Sequence, residues 1–219
     1  MMRSSSIKAG PDHVDFKEVL APTPFQDRVD SYSLTQDWAS WNGYKTAKTY
    51  DTLASEYFAI RSTCGVMDLT PMEKYRVGGP DALHFLNRLV TRDISGLQPN
   101  RVTYVVWCND EGKVLDDGTI FSLGGGEYRL CSQHHQLDWL LISSLGFDVT
   151  IEEETHSIAA LAVQGPTSYS VLSAAGIQEL NGLKPFGMIN ARVNGIECMV
   201  SRTGFTGDLG YEIWIDPSN

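Results

Sequence analysis

Two adjacent carboxylates, Asp116 and Asp117, lie in a run of strand-forming residues, VLDDGTIF. Neighbouring side chains on a strand point to opposite faces of the sheet, so the two acids cannot share a proton as a dyad. One should face solvent and the other the interior or a cleft. An interior carboxylate flanked by Leu115 and Phe121 would be desolvated, which suits a general acid or base, or an anion that holds a cationic substrate. The alternative is a hairpin aspartate that accepts hydrogen bonds from backbone amides near the turn.

A third carboxylate, Glu212, lies near the end of a glycine-rich segment, SRTGFTGDLGYEIWI, with three glycines at a spacing of three. On the strand YEIWI, Glu212 and Trp214 share one face. A carboxylate accepts two parallel hydrogen bonds and an aromatic ring can cover a flat heterocycle, so this pair suits the amino-pyrimidine edge of a pterin. The glycines would let the backbone approach a ligand closely or adopt positive φ. The alternative is a glycine-rich hairpin loop in which Glu212 pairs with Arg202 across the turn.

The histidines and cysteines form no recognisable metal or nucleophile motif. His134 and His135 are adjacent, and neighbours on a helix point about 100° apart, so they cannot converge on one ion. The four cysteines are scattered without a C-x-x-C pair, and none lies beside a histidine in the sequence. This argues against a structural zinc site and against a nucleophilic thiol. We therefore expect no metal site, and free thiols of the kind found in a reducing cytoplasm.

The charge balance excludes several classes of partner. The 219 residues include 17 Lys and Arg against 27 Asp and Glu, for a net charge of −10, and there is no basic run. Nucleic acid is therefore a poor partner on electrostatic grounds. No apolar run approaches the roughly 18 residues that a membrane span needs, and the N-terminus lacks an apolar signal core. These features predict a cytoplasmic protein that binds neither membrane nor nucleic acid.

The elements that must position the three acids alternate between strand and helix patterns. Residues 71–151 have the order strand, helix, three strands, helix, strand, with one helix predicted for HHQLDWLLISSLG. This order predicts an α+β, ferredoxin-like split βαβ lobe with one added strand. Residues 25–70 and 152–219 would form a second, antiparallel α+β lobe into which the first is inserted. Residues 1–24 are predicted to be a polar N-terminal arm.

The glycine-rich segment SRTGFTGDLGYEI resembles the signature of the glycine-cleavage T-protein family, the folate-dependent aminomethyltransferases. Four further segments resemble that family in the same order: EYFAIRSTCGVMDLT, VGGPDALHFLNRLVTRDIS, NDEGKVLDD and ALAVQGP. The resemblance covers most of residues 50–215. It implies tetrahydrofolate as cofactor and three lobes around a central folate channel. Family members continue past the end of this chain, so we expect a C-terminal truncation that leaves the second lobe incomplete, the third absent and an arginine near the catalytic acid missing.

The resemblance also implies roles for particular residues. Asp117, the second acid of the pair, would be the catalytic residue and lie near the reacting pterin nitrogen. Glu212 would hold the amino-pyrimidine edge of the pterin, and Tyr104 would line the cleft. Three further residues are expected to help bind the cofactor: Arg202, Phe205 and Trp214.

Departures from the family pattern bear on the donor. Pro71 occupies the position of a family histidine, Phe205 replaces the usual tyrosine of the glycine-cleavage enzymes, and TPFQDRV and WNGY are more similar to the demethylase branch. We therefore predict transfer of a methyl or aminomethyl group from an amine, sulfonium or aryl-ether donor to N5 of tetrahydrofolate. A lipoyl carrier protein is the less favoured partner.

Two other interpretations remain open. One is a non-catalytic folate-binding protein of the same fold, acting in iron–sulfur assembly or regulation. The other is a fragment without function. Under the enzyme interpretation too, the chain by itself is expected to be weakly active or inactive, because a folate cleft built from three lobes would be open on one side.

Overall fold

Residues 19–219 are the part of the chain that the computed structural model describes, so residues 1–18 of the predicted arm lie outside the described residues. The helices of the described part are α1 (Gln26–Tyr32), α2 (Leu53–Ser62), α3 (Ala82–Leu89), α4 (Leu137–Ser143) and α5 (Ser168–Ala174). Its strands are β1 (Asp37–Trp41), β2 (Tyr44–Thr49), β3 (Gly65–Asp68), β4 (Glu73–Gly78), β5 (Arg101–Cys108), β6 (Val114–Gly124), β7 (Glu127–Ser132), β8 (Thr150–Glu153), β9 (Ala159–Gln164), β10 (Met188–Val193), β11 (Ile196–Ser201) and β12 (Gly210–Ile215). None of these helices is long and apolar enough to cross a membrane.

The strands form two five-stranded antiparallel sheets and one hairpin. Sheet I has the order β5-β6-β7-β4-β8, sheet II has the order β10-β11-β12-β9-β3, and β1 pairs with β2. Sheet I with α3 and α4 is the ferredoxin-like split βαβ arrangement that the sequence predicts, and β5 is the added strand at its edge. The α+β class is therefore confirmed, whereas the lobe boundaries around residues 71–151 remain a prediction.

The two sheets pack face to face, and helices cover their outer faces, because each sheet has apolar residues on both sides. Residues of both sheets form an inner core between them: Leu69, Val102, Phe121, Cys131, Ala160, Ala162, Met188 and Trp214. Within this core the rings of Phe121 and Trp214 meet edge to face, with centroids 5.0 Å apart. On the outer faces, Leu86 of α3 and Leu140 of α4 pack against sheet I, and Leu172 of α5 packs against sheet II. The layer order is helix, sheet, sheet, helix.

The helix predicted for HHQLDWLLISSLG is shorter than expected. It begins at Leu137, so His134 and His135 precede it. The backbone N–H of His134 donates to the Asp116 carboxylate at 3.0 Å, and that of Gln136 donates to a tyrosine hydroxyl at 2.8 Å. These side-chain acceptors satisfy amides that would be the unpaired donors of a longer helix. The two histidines therefore lie on an irregular segment rather than on a helix.

Gly118 is required where β6 and β7 approach closely. A Cβ at this position would lie 1.9 Å from the carbonyl oxygen of Cys131 on the neighbouring strand. Because that oxygen belongs to the backbone of a central strand, it cannot move aside without disturbing the sheet. We predict that Gly118→Ala lowers the free energy of unfolding by about 3 kcal/mol, measured by urea denaturation followed by circular dichroism.

The matched control is Gly96→Ala, since nothing lies within 4 Å of a Cβ at that exposed position. This variant should differ from the wild type by less than about 0.5 kcal/mol. Equal urea midpoints for the two variants would contradict the close approach of β6 and β7.

Candidate functional site

Glu212 is a buried acid on the inner face of sheet II. It lies on β12 opposite Ser201 of β11, and only 7% of its surface is exposed. Thr203 Oγ1 donates to Glu212 Oε2 at 2.5 Å, and Ser201 Oγ makes a longer contact with the same oxygen at 3.4 Å. Trp214 Nε1 in turn donates to Ser201 Oγ at 3.1 Å. Two hydroxyls and an indole thus hold the carboxylate in one orientation.

The electrostatic environment of Glu212 is unusual for a carboxylate. Burial raises the pKa of its carboxyl group, and the hydroxyls of Thr203 and Ser201 only partly oppose that shift. Within residues 19–219 no lysine, arginine or histidine forms a salt bridge with it. Its second oxygen, Oε1, accepts no hydrogen bond from that part of the chain. The site therefore offers a fixed carboxylate oxygen to a donor that the described residues do not supply.

Asp117 and Tyr104 lie together on the inner face of sheet I. Strand pairing sets Tyr104 opposite Thr119 and Val106 opposite Asp117, so Tyr104 and Asp117 are diagonal neighbours on one face. Both side chains are exposed, Tyr104 by 46%. The neighbouring Asp117 carboxylate is the main cause that raises the pKa of the Tyr104 hydroxyl. Alternation along β6 places Asp117 and Thr119 on the same side as Phe121, which faces sheet II.

The two acids of interest therefore lie on sheet faces that oppose each other. Asp117 lies on the face of sheet I that bears Phe121, and Glu212 lies on the face of sheet II that bears Trp214. The rings of Phe121 and Trp214 are in contact. Glu212 also acts electrostatically on a residue of sheet I, Cys131. Burial raises the pKa of the Cys131 thiol to about 12, and Glu212 is among the charges that contribute. Neither acid, however, lines any of the three cavities described next.

The other predicted ligand residues are dispersed. Phe205 is 71% exposed and lines a cavity of about 230 Å³ together with Lys45 of β2 and Ile60 of α2. Trp214 is buried against Phe121, and it also lines an open depression of about 740 Å³. The structure does not bring these two side chains together with Tyr104 and Asp117 in one cavity.

Arg202 points away from Glu212, so the alternative interpretation, in which the two pair across the turn, is wrong. Its Nη1 donates to the carbonyl of Leu183 at 2.9 Å. It lines a third cavity, of about 330 Å³, together with Tyr211. Tyr211 faces the α5 side of sheet II, whereas Ser201, the neighbour of Arg202, faces Glu212. The cause is the alternation of side chains at the end of β11.

The aspartate pair divides as alternation requires, but not with the expected environments. Asp116 is the buried member; it accepts hydrogen bonds from the backbone N–H of Asp117 at 2.8 Å and of His134 at 3.0 Å. The backbone-bound alternative therefore describes Asp116. The expectation of a desolvated carboxylate between Leu115 and Phe121 is wrong for Asp117, the acid on that face, because it is exposed.

Gln164, at the end of β9, is a buried residue that sequence reasoning missed. Its Nε2 donates to the carbonyls of Thr203 and Tyr211, each at 3.2 Å, on either side of the glycine-rich loop. Thr206 Oγ1 donates to its Oε1 at 3.1 Å. The glutamine thus fixes the loop that carries Thr203, the main hydrogen-bond partner of Glu212. A polar residue in the apolar strand AALAVQ was the only signal for this role.

The three spaced glycines make room for the Gln164 side chain and let the loop backbone turn. A Cβ at Gly204 or at Gly210 would lie 2.0 Å from Gln164 Oε1, and Gly207 has a φ of +77°. Two of the glycines therefore leave room for a protein side chain, and the third adopts the left-handed conformation that glycine tolerates best. The expected positive φ is confirmed at Gly207, whereas the close neighbour of Gly204 and Gly210 is Gln164.

Comparisons with known proteins agree with this architecture. A family model described as the GCVT N-terminal domain matches residues 8–219. An aminomethyltransferase of Bacillus subtilis (strain 168) is 34% identical over 202 residues, which cover 90% of this chain and 55% of the relative. An aminomethyltransferase of Clostridium botulinum (strain Okra / Type B1) is 34% identical over 208 residues, which cover 92% and 55%. The chain spans about half the length of the curated relatives that it matches.

A solved structure supports the fold. The crystal structure of glycine cleavage system aminomethyltransferase T from Bartonella henselae matches with a TM-score of 0.79 at 24% identity, over 91% of this chain and 54% of that one. At this level of identity the likeness shows the fold alone.

The buried charge of Glu212 leads to a prediction about stability. The folded state favours the protonated carboxyl because burial raises its pKa. Stability is therefore lost as pH rises above about 4, the ordinary range of glutamate, and up through the raised pKa. Glu212→Gln removes this loss, so its melting temperature should match the wild type near pH 4, exceed it as pH rises through the raised pKa, and stay above it at pH 8, as measured by calorimetry across that range.

Glu197→Gln is the matched control, because Glu197 is an exposed acid of the same sheet that pairs with Arg192. Its melting curve should run parallel to that of the wild type over the same pH range. If Glu212→Gln also ran parallel, its carboxylate would not carry a burial penalty.

Proposed function

The chain belongs to the GCVT N-terminal domain family, the folate-dependent aminomethyltransferases of the glycine-cleavage T-protein type, and we propose that its two facing sheets hold tetrahydrofolate for one-carbon transfer. The acceptor supplies the N5 nitrogen to which the one-carbon unit is moved. Because the chain covers about half of its relatives, the activity, substrates and partners of the whole protein are part of this proposal.

The observation that carries the proposal is the state of Glu212. A buried carboxylate without a cationic partner costs folding free energy, and such a cost is commonly retained for function. Its Oε2 is held by Thr203 at 2.5 Å, while Oε1 accepts no hydrogen bond from residues 19–219. The amino-pyrimidine edge of a pterin carries N–H donors of the kind that this oxygen lacks. Glu212 would thus fix the orientation of the ring.

Asp117 would act from the opposite sheet. Its exposed carboxylate is a diagonal neighbour of Tyr104 and lies on the face of sheet I that looks toward sheet II. A negative charge beside the reacting nitrogen would orient it and favour its attack electrostatically, without a covalent enzyme intermediate. Tyr104 would line the proposed folate cleft beside Asp117. Phe205, Trp214 and Arg202 have a smaller part in the proposal, because the first lies in a separate cavity, the second packs in the core and the third points away.

The donor is proposed from the sequence pattern. Pro71 and Phe205 depart from the glycine-cleavage pattern, which supports a methylated amine, a sulfonium or an aryl methyl ether over a lipoyl-bound intermediate. All four cysteines are free thiols, which supports a reducing compartment such as the cytoplasm.

Direct binding tests the role of Glu212. Isothermal titration of tetrahydrofolate into the wild-type chain should give weak but saturable binding, and Glu212→Gln should weaken it about 10- to 100-fold, the cost of losing a hydrogen bond to a charged group. Asp110→Asn is the matched control on the exposed β5–β6 turn and should bind as the wild type does. Absence of saturable binding, or equal loss in Asp110→Asn, would overturn the assignment of Glu212.

Product analysis tests the role of Asp117. With the full-length protein, tetrahydrofolate and each donor class in turn, mass spectrometry should detect a one-carbon folate for the wild type and about 100-fold less for Asp117→Asn. Binding without product from any donor would favour the alternative, a non-catalytic folate-binding protein. Product formed equally by Asp117→Asn would exclude Asp117 as the catalytic residue.

A further inference from the structure

Three side chains from separate segments converge at the edge of sheet I, and we propose that they bind a divalent transition-metal ion. They are Glu73 of β4, His135 of the segment before α4, and Glu153 of β8. Each offers one ligand atom, and the three atoms lie within 4.8 Å of one another. This group lies apart from the residues proposed to bind folate.

Strand pairing explains why the two carboxylates meet. Tyr75 of β4 lies directly opposite Glu153 of β8. Glu73 is two residues before Tyr75 and shares its face, so Glu73 and Glu153 are diagonal neighbours. That face is the outer, helix-covered face of sheet I, since Tyr75 belongs to the core there. Asp117 lies on the opposite face, so the two proposed sites are separated by the sheet.

The approach of His135 supplies the third ligand. Its Nδ1 lies 3.5 Å from Glu73 Oε2, and its ring stands edge-on to the ring of Tyr75, with centroids 6.3 Å apart. His134 turns the other way, toward Asp116, with its Nδ1 at 3.4 Å from that carboxylate. The adjacent histidines therefore diverge, as the sequence predicts. The expectation of no metal site considered the cysteines and the histidine pair, whereas the acidic ligands come from distant strands.

Glu73 is a buried acid that keeps one carboxylate oxygen free of hydrogen bonds from the described residues. Only 5% of its side chain is exposed, and within residues 19–219 no lysine or arginine forms a salt bridge with it. The hydroxyls of Thr155 and Tyr75 donate to its Oε2 at 3.0 and 3.3 Å, while Oε1 accepts no hydrogen bond from the same part of the chain. The two hydroxyls fix the orientation of the Glu73 carboxylate, as hydrogen-bond partners of metal-ligating carboxylates do, and leave Oε1 available to bind an ion.

The neighbouring cation does not neutralise this group. Lys74 follows Glu73 on β4 and so points to the opposite face, where its Nζ donates to the carbonyls of Thr70 and Met72, each at 2.8 Å. Two carboxylates close together repel each other unless a cation lies between them. A divalent ion would compensate both charges at once.

The donor set indicates the class of ion. One imidazole nitrogen and two carboxylate oxygens suit Zn²⁺ and neighbouring transition metals, whereas Mg²⁺ and Ca²⁺ prefer oxygen ligands alone. Zinc bonds of about 2.0–2.2 Å place tetrahedral ligand atoms roughly 3.4 Å apart. The half-exposed His135 and the exposed Glu153 can turn inward to reach that spacing. The ion would cross-link β4, β8 and the segment that leads into α4.

Isothermal titration of ZnCl₂ into the 219-residue protein tests the proposal. We expect saturable binding of one ion per chain, a higher melting temperature with zinc, and no comparable effect of MgCl₂. His135→Ala and Glu153→Gln alter exposed positions, and each should weaken zinc binding at least 10-fold. The matched controls are their sequence neighbours, His134→Ala and Glu152→Gln, which should bind as the wild type does.

Cobalt absorption separates this site from the four free thiols. Co²⁺ bound to nitrogen and oxygen ligands shows weak visible bands without a thiolate charge-transfer band, so that band would locate the ion on cysteine and overturn the proposal. Absence of saturable zinc binding would also overturn it and would leave Glu73 and His135 as a simple side-chain contact. Zinc binding that survives in both His135→Ala and Glu153→Gln would likewise overturn the proposal.

Discussion

The contact between the two sheets is the constraint on which the rest of the structure depends. Phe121 and Trp214 meet edge to face across the inner core, and the small residues Ala160 and Ala162 let the sheets approach there. This packing removes water from the inner faces around the two rings, whereas Tyr104 and Asp117, farther along the inner face of sheet I, stay exposed. Glu212 lies two residues from Trp214, so it is buried as a consequence. The same indole holds Ser201, and through it the surroundings of the carboxylate.

Three buried acids show how differently a carboxylate can be accommodated. Asp116 receives a backbone N–H on each of its oxygens and is a satisfied structural residue. Glu212 and Glu73 each receive two hydroxyl contacts on Oε2 and none on Oε1 from the described part of the chain. Buried polar groups are normally paired. In each glutamate the oxygen without a hydrogen bond from the described residues could accept an external partner, which we propose to be a pterin edge for Glu212 and a cation for Glu73.

The glycine-rich loop is held in place by one buried side chain. Gln164 satisfies backbone carbonyls on both sides of the loop, and Gly204 and Gly210 provide the space for its side chain. The loop is thereby fixed, and with it Thr203, which holds Glu212. Positioning of the site thus extends from a buried amide on β9, through backbone groups, to the carboxylate on β12.

The sequence by itself determined those features that follow from the local geometry of each strand and from the order of the elements. Alternation along a strand separated Asp116 from Asp117 and paired Glu212 with Trp214, and the order of elements indicated the ferredoxin-like lobe. Only the tertiary structure decided that Asp116 is the buried aspartate, that Arg202 turns away from Glu212, and that Glu73 meets His135. The reason is that side-chain alternation is a property of each strand, whereas burial and convergence depend on which distant strands and loops pack together.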